Sequence, residues 1–421
     1  MTIKELDIAV IGGGPAGMAA ALAADACFRS APDDIGLHPD TGFPSSRIAI
    51  IERAPVLGGI LNQCTHRGFG LTYFGEELTG QEYAGRFVER VEASGIETLT
   101  DTTVLDIGGD GVLTITGKKS GLARLRAKAV VLATGCRERP IGSLPVAGTR
   151  PSGVYSAGAA QKMMNLGGYD LGDRFVILGS GDVGMIVARH LAQSGKGVIA
   201  VVEKEAECGG LPRNRINCLD KYNIPLLTRS TVSRVHGIGR IKGVTVERMV
   251  DAVSKSFIEC DTLITSVGLI PERELLDGLE RSKPVLPDWL FLCGNACYVH
   301  DVVDDVSMES QRVGEYAAMY VLTGTIQGSR LTAGNVGTTP FPTPSLATSQ
   351  APLALHESTA GTTTRDQRPS SVPNPSAPNL SVPSLDHATV LCTACPKGCA
   401  PTLTATGWQG LACGRESPVT G

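Results

Sequence analysis

Apolar residues recur along this chain in short runs, each followed by a glycine-rich turn and then by a longer segment with helical spacing. Leu6 to Ile11 reads as a strand, and the segment beyond Gly17, rich in Ala, Met and Leu, reads as a helix. The alternation continues with strands at Ile48 to Ile51, Arg174 to Leu178 and Gly197 to Val202, and with a helix after Gly184. Val306 to Leu322 again places small and apolar groups at helical spacing. Strand-turn-helix units in series predict an α/β protein built on doubly wound, mostly parallel sheets. Ser30 to Arg47 breaks the pattern: Pro32, Gly36, Pro39, Gly42 and Pro44 occur without an apolar period, so this stretch reads as a surface loop.

Two of the glycine turns carry more information than the others. Gly12-Gly13-Gly14-Pro15-Ala16-Gly17 and Gly179-Ser180-Gly181-Asp182-Val183-Gly184 each lie between an apolar strand and a helix, the setting of a dinucleotide-binding fingerprint. The first glycine permits the tight turn, the second admits a pyrophosphate to the backbone, and the third lets helix and strand pack closely. Unpaired N–H groups at the helix start then bind the phosphates. Glu203 follows Gly184 by nineteen residues, at the end of a strand, where a carboxylate can accept ribose hydroxyls. Glu52 stands thirty-five residues beyond Gly17 because of the inserted loop, yet still ends the second strand. Two nucleotides in one chain point to an oxidoreductase.

Composition narrows the class. The chain has 421 residues, 42% of them hydrophobic, with 51 glycines and 5% aromatics, which suits two or three α/β domains rich in tight turns. A formal charge of −4 gives no footprint for nucleic acid. Arg124, Arg126 and Lys128 alternate with apolar residues and read as the solvated face of a strand. No uncharged apolar run is long enough to span a membrane, and Glu5 and Asp7 ahead of the first turn argue against a secretory signal. The expectation is a cytoplasmic protein whose twelve cysteines are buried thiols and metal ligands. Oligomeric state is not legible here.

The second fingerprint sits inside a segment that interrupts the first unit. The expected organisation is a first nucleotide domain over residues 1–150, an inserted one over 151–284, and a return segment over 285–328. Residues 329–387 are rich in Pro, Ser, Thr and Gly and read as a disordered linker. As a flexible coil its ends would sit roughly 40 Å apart. Residues 388–421 then hold Cys392, Cys395, Cys399 and Cys413. Four thiolates suit a [4Fe–4S] cluster or a structural zinc. A zinc ribbon normally offers two separated C-x-x-C pairs and the second is missing here, so the cluster is favoured.

The first 328 residues resemble the two-domain flavoprotein pyridine-nucleotide oxidoreductases, the group that includes thioredoxin reductase. Beyond the fingerprints, the resemblance rests on Leu57-Gly58-Gly59, Val130 to Gly135, Thr265 to Pro271 and Gly294-Asn295. It implies FAD on Gly12, Gly14, Pro15, Ala16, Gly17, Glu52, Gly59, Val104, Ala133, Thr134, Gly135, Gly294 and Asn295. It implies a nicotinamide nucleotide on Gly179, Gly181, Asp182, Val183, Gly184, Glu203 and Gly268, with NAD(H) preferred over NADP(H) because Glu203 would repel a 2′-phosphate. In relatives Asn295 is usually an aspartate.

A narrower resemblance rests on Gly58 to Leu71, Gly135 to Arg139 and Cys293 to Asp301. These look like a subfamily encoded beside a glycerol-3-phosphate dehydrogenase-like flavoprotein and a small four-cysteine protein, here fused at the C-terminus. The resemblance implies a partner dehydrogenase subunit of that kind. One departure is that the chain looks shorter than relatives between Glu274 and Trp289.

Thioredoxin reductases carry a Cys-x-x-Cys pair at the start of the inserted domain, whereas Gly153 to Gly158 holds no cysteine. The alternatives for redox chemistry are a dithiol of Cys64 with Cys136, or Cys64 as a thiolate activated by His66 as proton donor. A non-catalytic FAD-binding scaffold or redox sensor is a third reading. Cys293 and Cys297 read as packing residues.

Overall fold

The computed structural model describes residues 3–31, 47–249, 254–282 and 285–324. Most of the Ser30–Arg47 loop, the proline-rich linker and all four C-terminal cysteines lie outside the described residues. The described residues fall within one unit, Met1–Phe341.

The strand Lys4–Ile11 lies between Ile48–Ile51 and Gly121–Leu132, parallel to both. Buried on two faces, it is nearly continuous in apolar residues. Glu97–Leu99 extends the sheet on one side, and the antiparallel strands Val112–Gly117 and Thr102–Ile107 extend it on the other. Leu290–Leu292 returns much later in the chain to pair with Gly121–Leu132.

The polar exception in the central strand is Asp7, 1% exposed. Arg47 N donates to it at 3.0 Å, and Lys128 Nζ sits 2.9 Å away as an ion pair that lacks hydrogen-bond alignment. Arg126 pairs with Asp110 at 3.4 Å and lies 3.8 Å from Glu5. Two members of the basic cluster on this solvated face therefore also pair with carboxylates of the first sheet.

The helix Pro15–Ser30 packs on this sheet and is itself covered by Val303–Thr323, a helix longer by three residues at its start than the pattern suggested. The two backbones approach so closely that a Cβ on Gly314 would lie 2.0 Å from Ala20 O. An aromatic group of Tyr73, Phe74, Tyr83 and Phe87 fills the flank, and Tyr83 donates to Ser307 at 2.8 Å.

The second nucleotide unit is a five-stranded parallel sheet ordered Val154–Ser156, Thr262–Thr265, Arg174–Leu178, Gly197–Val202 and Leu226–Leu227. A four-stranded sheet that includes Ser230–Gly237, Ile241–Arg248 and Ser254–Glu259 packs beside it. Where the chain leaves and re-enters the first unit, Cys136–Glu138 pairs antiparallel with Leu269–Pro271. Between Glu274 and Trp289, a turn at Glu274–Leu276 and a helix at Asp277–Ser282 place Leu276 and Leu279 in the core.

Candidate nucleotide sites and the groups around them

The two fingerprints have the same construction. Gly12 and Gly179 have φ of +113° and +98°, and a Cβ on either would lie 2.3 Å from Ala133 O or 1.9 Å from Ser266 O. A Cβ on Gly17 would lie 1.9 Å from Gly12 O, and one on Gly184 would lie 2.7 Å from the Ser266 side chain. These four positions are closed by the protein itself. At the second glycine of each motif the situation reverses: a Cβ on Gly14 or Gly181 would find nothing nearer than 3.9 or 3.5 Å. Open space in front of a helix N-terminus is what a pyrophosphate needs, so the residues fit a dinucleotide at both places. Pro15 occupies the start of the first helix, and Val183, 37% exposed, faces outward beside the second.

Each motif also holds its carboxylate. Glu52, 7% exposed, accepts from Gly13 N and from Ala54 N, both at 2.7 Å. Glu203, 8% exposed, accepts from Ser180 N at 2.8 Å, Ser180 Oγ at 2.5 Å and Glu205 N at 3.0 Å. Both acids are thus oriented, with lone pairs left for ribose hydroxyls. Asp182 serves the protein instead. Its Oδ1 accepts from Leu211 N at 2.8 Å and Asn214 Nδ2 at 2.7 Å, tying that segment across the second motif.

Residues far apart in sequence complete the first site. Gly58 N donates to Gly13 O at 2.8 Å, and a Cβ on Gly59 would lie 3.0 Å from Gly14 Cα. A Cβ on Gly294 would lie 2.7 Å from Ala16, so the return segment abuts the first helix turn. Val104 is buried in the strand Thr102–Ile107. Thr134 Oγ1 donates to Glu272 O at 2.6 Å, Glu272 N to Gly135 O at 2.9 Å, and Arg139 N to Gly268 O at 3.0 Å. The motifs that close the two units are therefore joined at the crossing.

Asn295 is engaged within the protein. Its Oδ1 accepts from His300 N at 3.0 Å and lies 3.2 Å from His300 Nδ1, while Nδ2 faces Cys136 Sγ at 3.6 Å. Beyond His300, Nε2 lies 3.0 Å from Glu309 Oε2 without hydrogen-bond alignment. Glu309 Oε2 also accepts from Gly294 N at 3.3 Å. Burial raises the Glu309 carboxyl from 4.5 to about 7 and lowers His300.

Between about pH 4.5 and 7 the native state thus keeps a proton on Glu309 that the unfolded chain has released, and stability falls as pH rises through that window. Glu309→Gln should flatten this decline, as read from melting temperatures measured across the same range. Parallel curves for variant and wild type would remove Glu309 from the account.

The cysteines of the described residues are free thiols, buried or half-buried. Cys64 is buried against Ile60 O and Gln161 Oε1, and desolvation pushes its thiol up to about 12. Burial, followed by Arg189 and His190, pulls His66 down to about 4. Both shifts favour the neutral forms, which gives no support to a thiolate activated by an imidazolium. Cys64 and Cys136 are both free and bonded to different partners. Cys293 is fully buried and Cys297 half-buried, in keeping with packing. Among the described residues no group of three or more His, Cys, Asp or Glu is arranged to hold a metal, and Cys392, Cys395, Cys399 and Cys413 lie outside them.

Sequence reasoning passed over Glu138, Asp304 and Glu309. Glu138 accepts from Gly158 N and Ala159 N at the start of the helix Ala157–Asn165. Asp304 accepts from Gly70, Thr72 and Tyr73 N–H groups. The partners of Glu138 and Asp304 come from other segments of the chain, so no local signal marks them.

Two Rossmann-type units, each with an open phosphate cradle and an oriented acid, define a dinucleotide-dependent oxidoreductase fold. The family described as "Pyridine nucleotide-disulphide oxidoreductase" matches residues 6–285, and the chain belongs to it, as a flavoprotein oxidoreductase by class. It is 31% identical over 219 residues to a subunit of opine oxidase from Agrobacterium tumefaciens, covering 48% of this chain and 40% of the relative. It is 26% identical over 304 residues to hydrogen cyanide synthase subunit HcnB of Pseudomonas protegens, covering 66% and 60%. The chain thus spans 40–60% of the length of these relatives. The crystal structure of T. acidophilum thioredoxin reductase superposes with a TM-score of 0.58 at 20% identity, over 77% of this chain and all of that one. No helix among the described residues is long and apolar enough to cross a membrane.

Proposed function

We propose that this chain is the electron-exchanging subunit of a larger oxidoreductase. A nicotinamide dinucleotide at the second fingerprint exchanges hydride with FAD at the first, and electrons pass through a C-terminal iron–sulfur cluster to or from a partner dehydrogenase subunit. The observation that carries the reading is the duplicated cradle, with its open second glycine and its buried carboxylate, in one unit.

The flavin, when bound, supplies two-electron acceptance and one-electron release. The chain's own residues bind and orient. The helix starts at Gly14 and Gly181 hold phosphates, Glu52 and Glu203 hold riboses, and Gly59 with Gly294 lets backbone close around the first cradle. Membership of a larger assembly is supported by relatives named as subunits of opine oxidase and hydrogen cyanide synthase. The partner proposed is a glycerol-3-phosphate dehydrogenase-like subunit. The eight free thiols among the described residues suit the reducing cytoplasm. A dithiol route has less support, because Cys64 and Cys136 occupy separate hydrogen-bond networks.

Anaerobic mixing of the FAD-loaded full chain with NADH tests the reading: rapid bleaching is expected, and an unreduced flavin would leave a binding scaffold. NADH should outperform NADPH in kcat/KM, because Glu203 faces the ribose position with an ionisable carboxylate. Equal or better NADPH kinetics would show that Glu203 does not read the ribose.

A further inference from the structure

A cleft of about 290 Å³ opens between the two nucleotide units, away from both fingerprints. Its walls are Thr65, His66 and Arg67 from the first unit, Gln161 and Asn165 from the helix Ala157–Asn165, and the C-terminal half of the helix Asp182–Gln193. The fingerprint occupies the opposite end of that last helix. At 1.5 Å per residue, His190 lies roughly 12 Å along the axis from Asp182.

The charge of the lining is one-sided. Arg67 and Arg189 contribute it, His66 and His190 add imidazole nitrogens, and no carboxylate is present. Arg67 is accounted for, since it donates to Glu77 O at 2.8 Å and lies 3.9 Å from Glu82. Arg189, half-buried, has no hydrogen bond or ion pair among the described residues. Basic residues in a final helix turn do complement the helix dipole. That explains Arg189 and His190 but not why His66, half-buried and from the other unit, lines the same cleft. Burial first, and then Arg189 and His190, lower the His66 pKa.

We infer that this cleft binds the anionic end of a small metabolite, a carboxylate or a phosphate monoester, on the Arg189 guanidinium, with the neutral imidazoles of His66 and His190 as N–H donors. The ligand would bridge the two nucleotide units. It would also touch Gln161, whose Oε1 accepts from Gln63 Nε2 at 3.2 Å and faces Cys64 Sγ at 3.8 Å. This site does not depend on which nucleotides occupy the fingerprints.

Calorimetric titration of the full chain at fixed ionic strength, with inorganic phosphate and with glycolate as separate probes, tests it. Saturable binding of at least one probe is expected. Phosphate alone would indicate a phosphate ester, glycolate alone a hydroxycarboxylate, and competition between them a shared anion hole. Arg189→Gln should weaken binding about tenfold or more, as for loss of a charge-assisted hydrogen bond. Gln193→Glu, at an exposed position on the rim, should weaken it by repulsion without touching the core. Unchanged flavin content and melting temperature in both variants would show that the fold is kept. No saturable binding, or binding equally strong in Arg189→Gln, overturns the inference. In the latter case the anion belongs to the fingerprint helix starts.

Discussion

Gly14→Val should yield a soluble, folded and colourless protein. A Cβ at this position would lie 3.9 Å from its nearest neighbour, so the apo fold has room for the side chain. That room is the proposed pyrophosphate cradle, and a valine would fill it. Loss of two charge-assisted hydrogen bonds to phosphate already corresponds to about a hundredfold in affinity or more. The contrast is Gly17→Val, whose Cβ would lie 1.9 Å from Gly12 O in backbone that cannot yield. That variant should lose about 3 kcal/mol or more of stability and fail to accumulate. Flavin absorbance per chain and the melting curve of the FAD-free protein separate the two outcomes. Flavin retained at full occupancy by Gly14→Val would show that FAD does not use this cradle.

Truncation after Gly328 should leave flavin binding and NADH bleaching intact while abolishing electron transfer to the native partner. Both fingerprints, both acids and the crossing are complete within the described residues. Cys392, Cys395, Cys399 and Cys413 follow only after the proline-rich stretch. Anaerobic purification of the full chain with iron, sulfide and zinc analysis is the direct check, since a tetrathiolate site accepts either metal. Stoichiometric zinc without iron would make the tail a structural or docking module. Undiminished transfer by the truncated chain would remove it from the electron route.

The nucleotide cradles were legible in sequence because their chemistry is local. Strand, glycine turn and helix are contiguous, and both Glu52 and Glu203 end the strand that follows, even with a long insertion before Glu52. Backbone constraints at Gly12, Gly17, Gly179 and Gly184 are set within a few residues and across one neighbouring strand, so the motif carries them wherever it occurs.

The redox side chains were not legible in the same way. Cys64 and His66 are close in sequence, which suggested an activated pair, but a pKa answers to everything packed around a group. Burial against Gln161 and the approach of Arg189 and His190 from the inserted unit favour the neutral form of both.

Periodicity and glycine turns act over short range, so the α/β architecture and the two cradles could be read from the order of residues without any knowledge of packing. Long-range packing was needed to join Gly294 to Ala16 and to gather Arg189, His190 and His66 around one cleft. Each of these depends on the chain leaving the first sheet, building a second, and returning to pair Leu290–Leu292 with Gly121–Leu132. Such meetings are set by packing across that crossing, which no local pattern encodes.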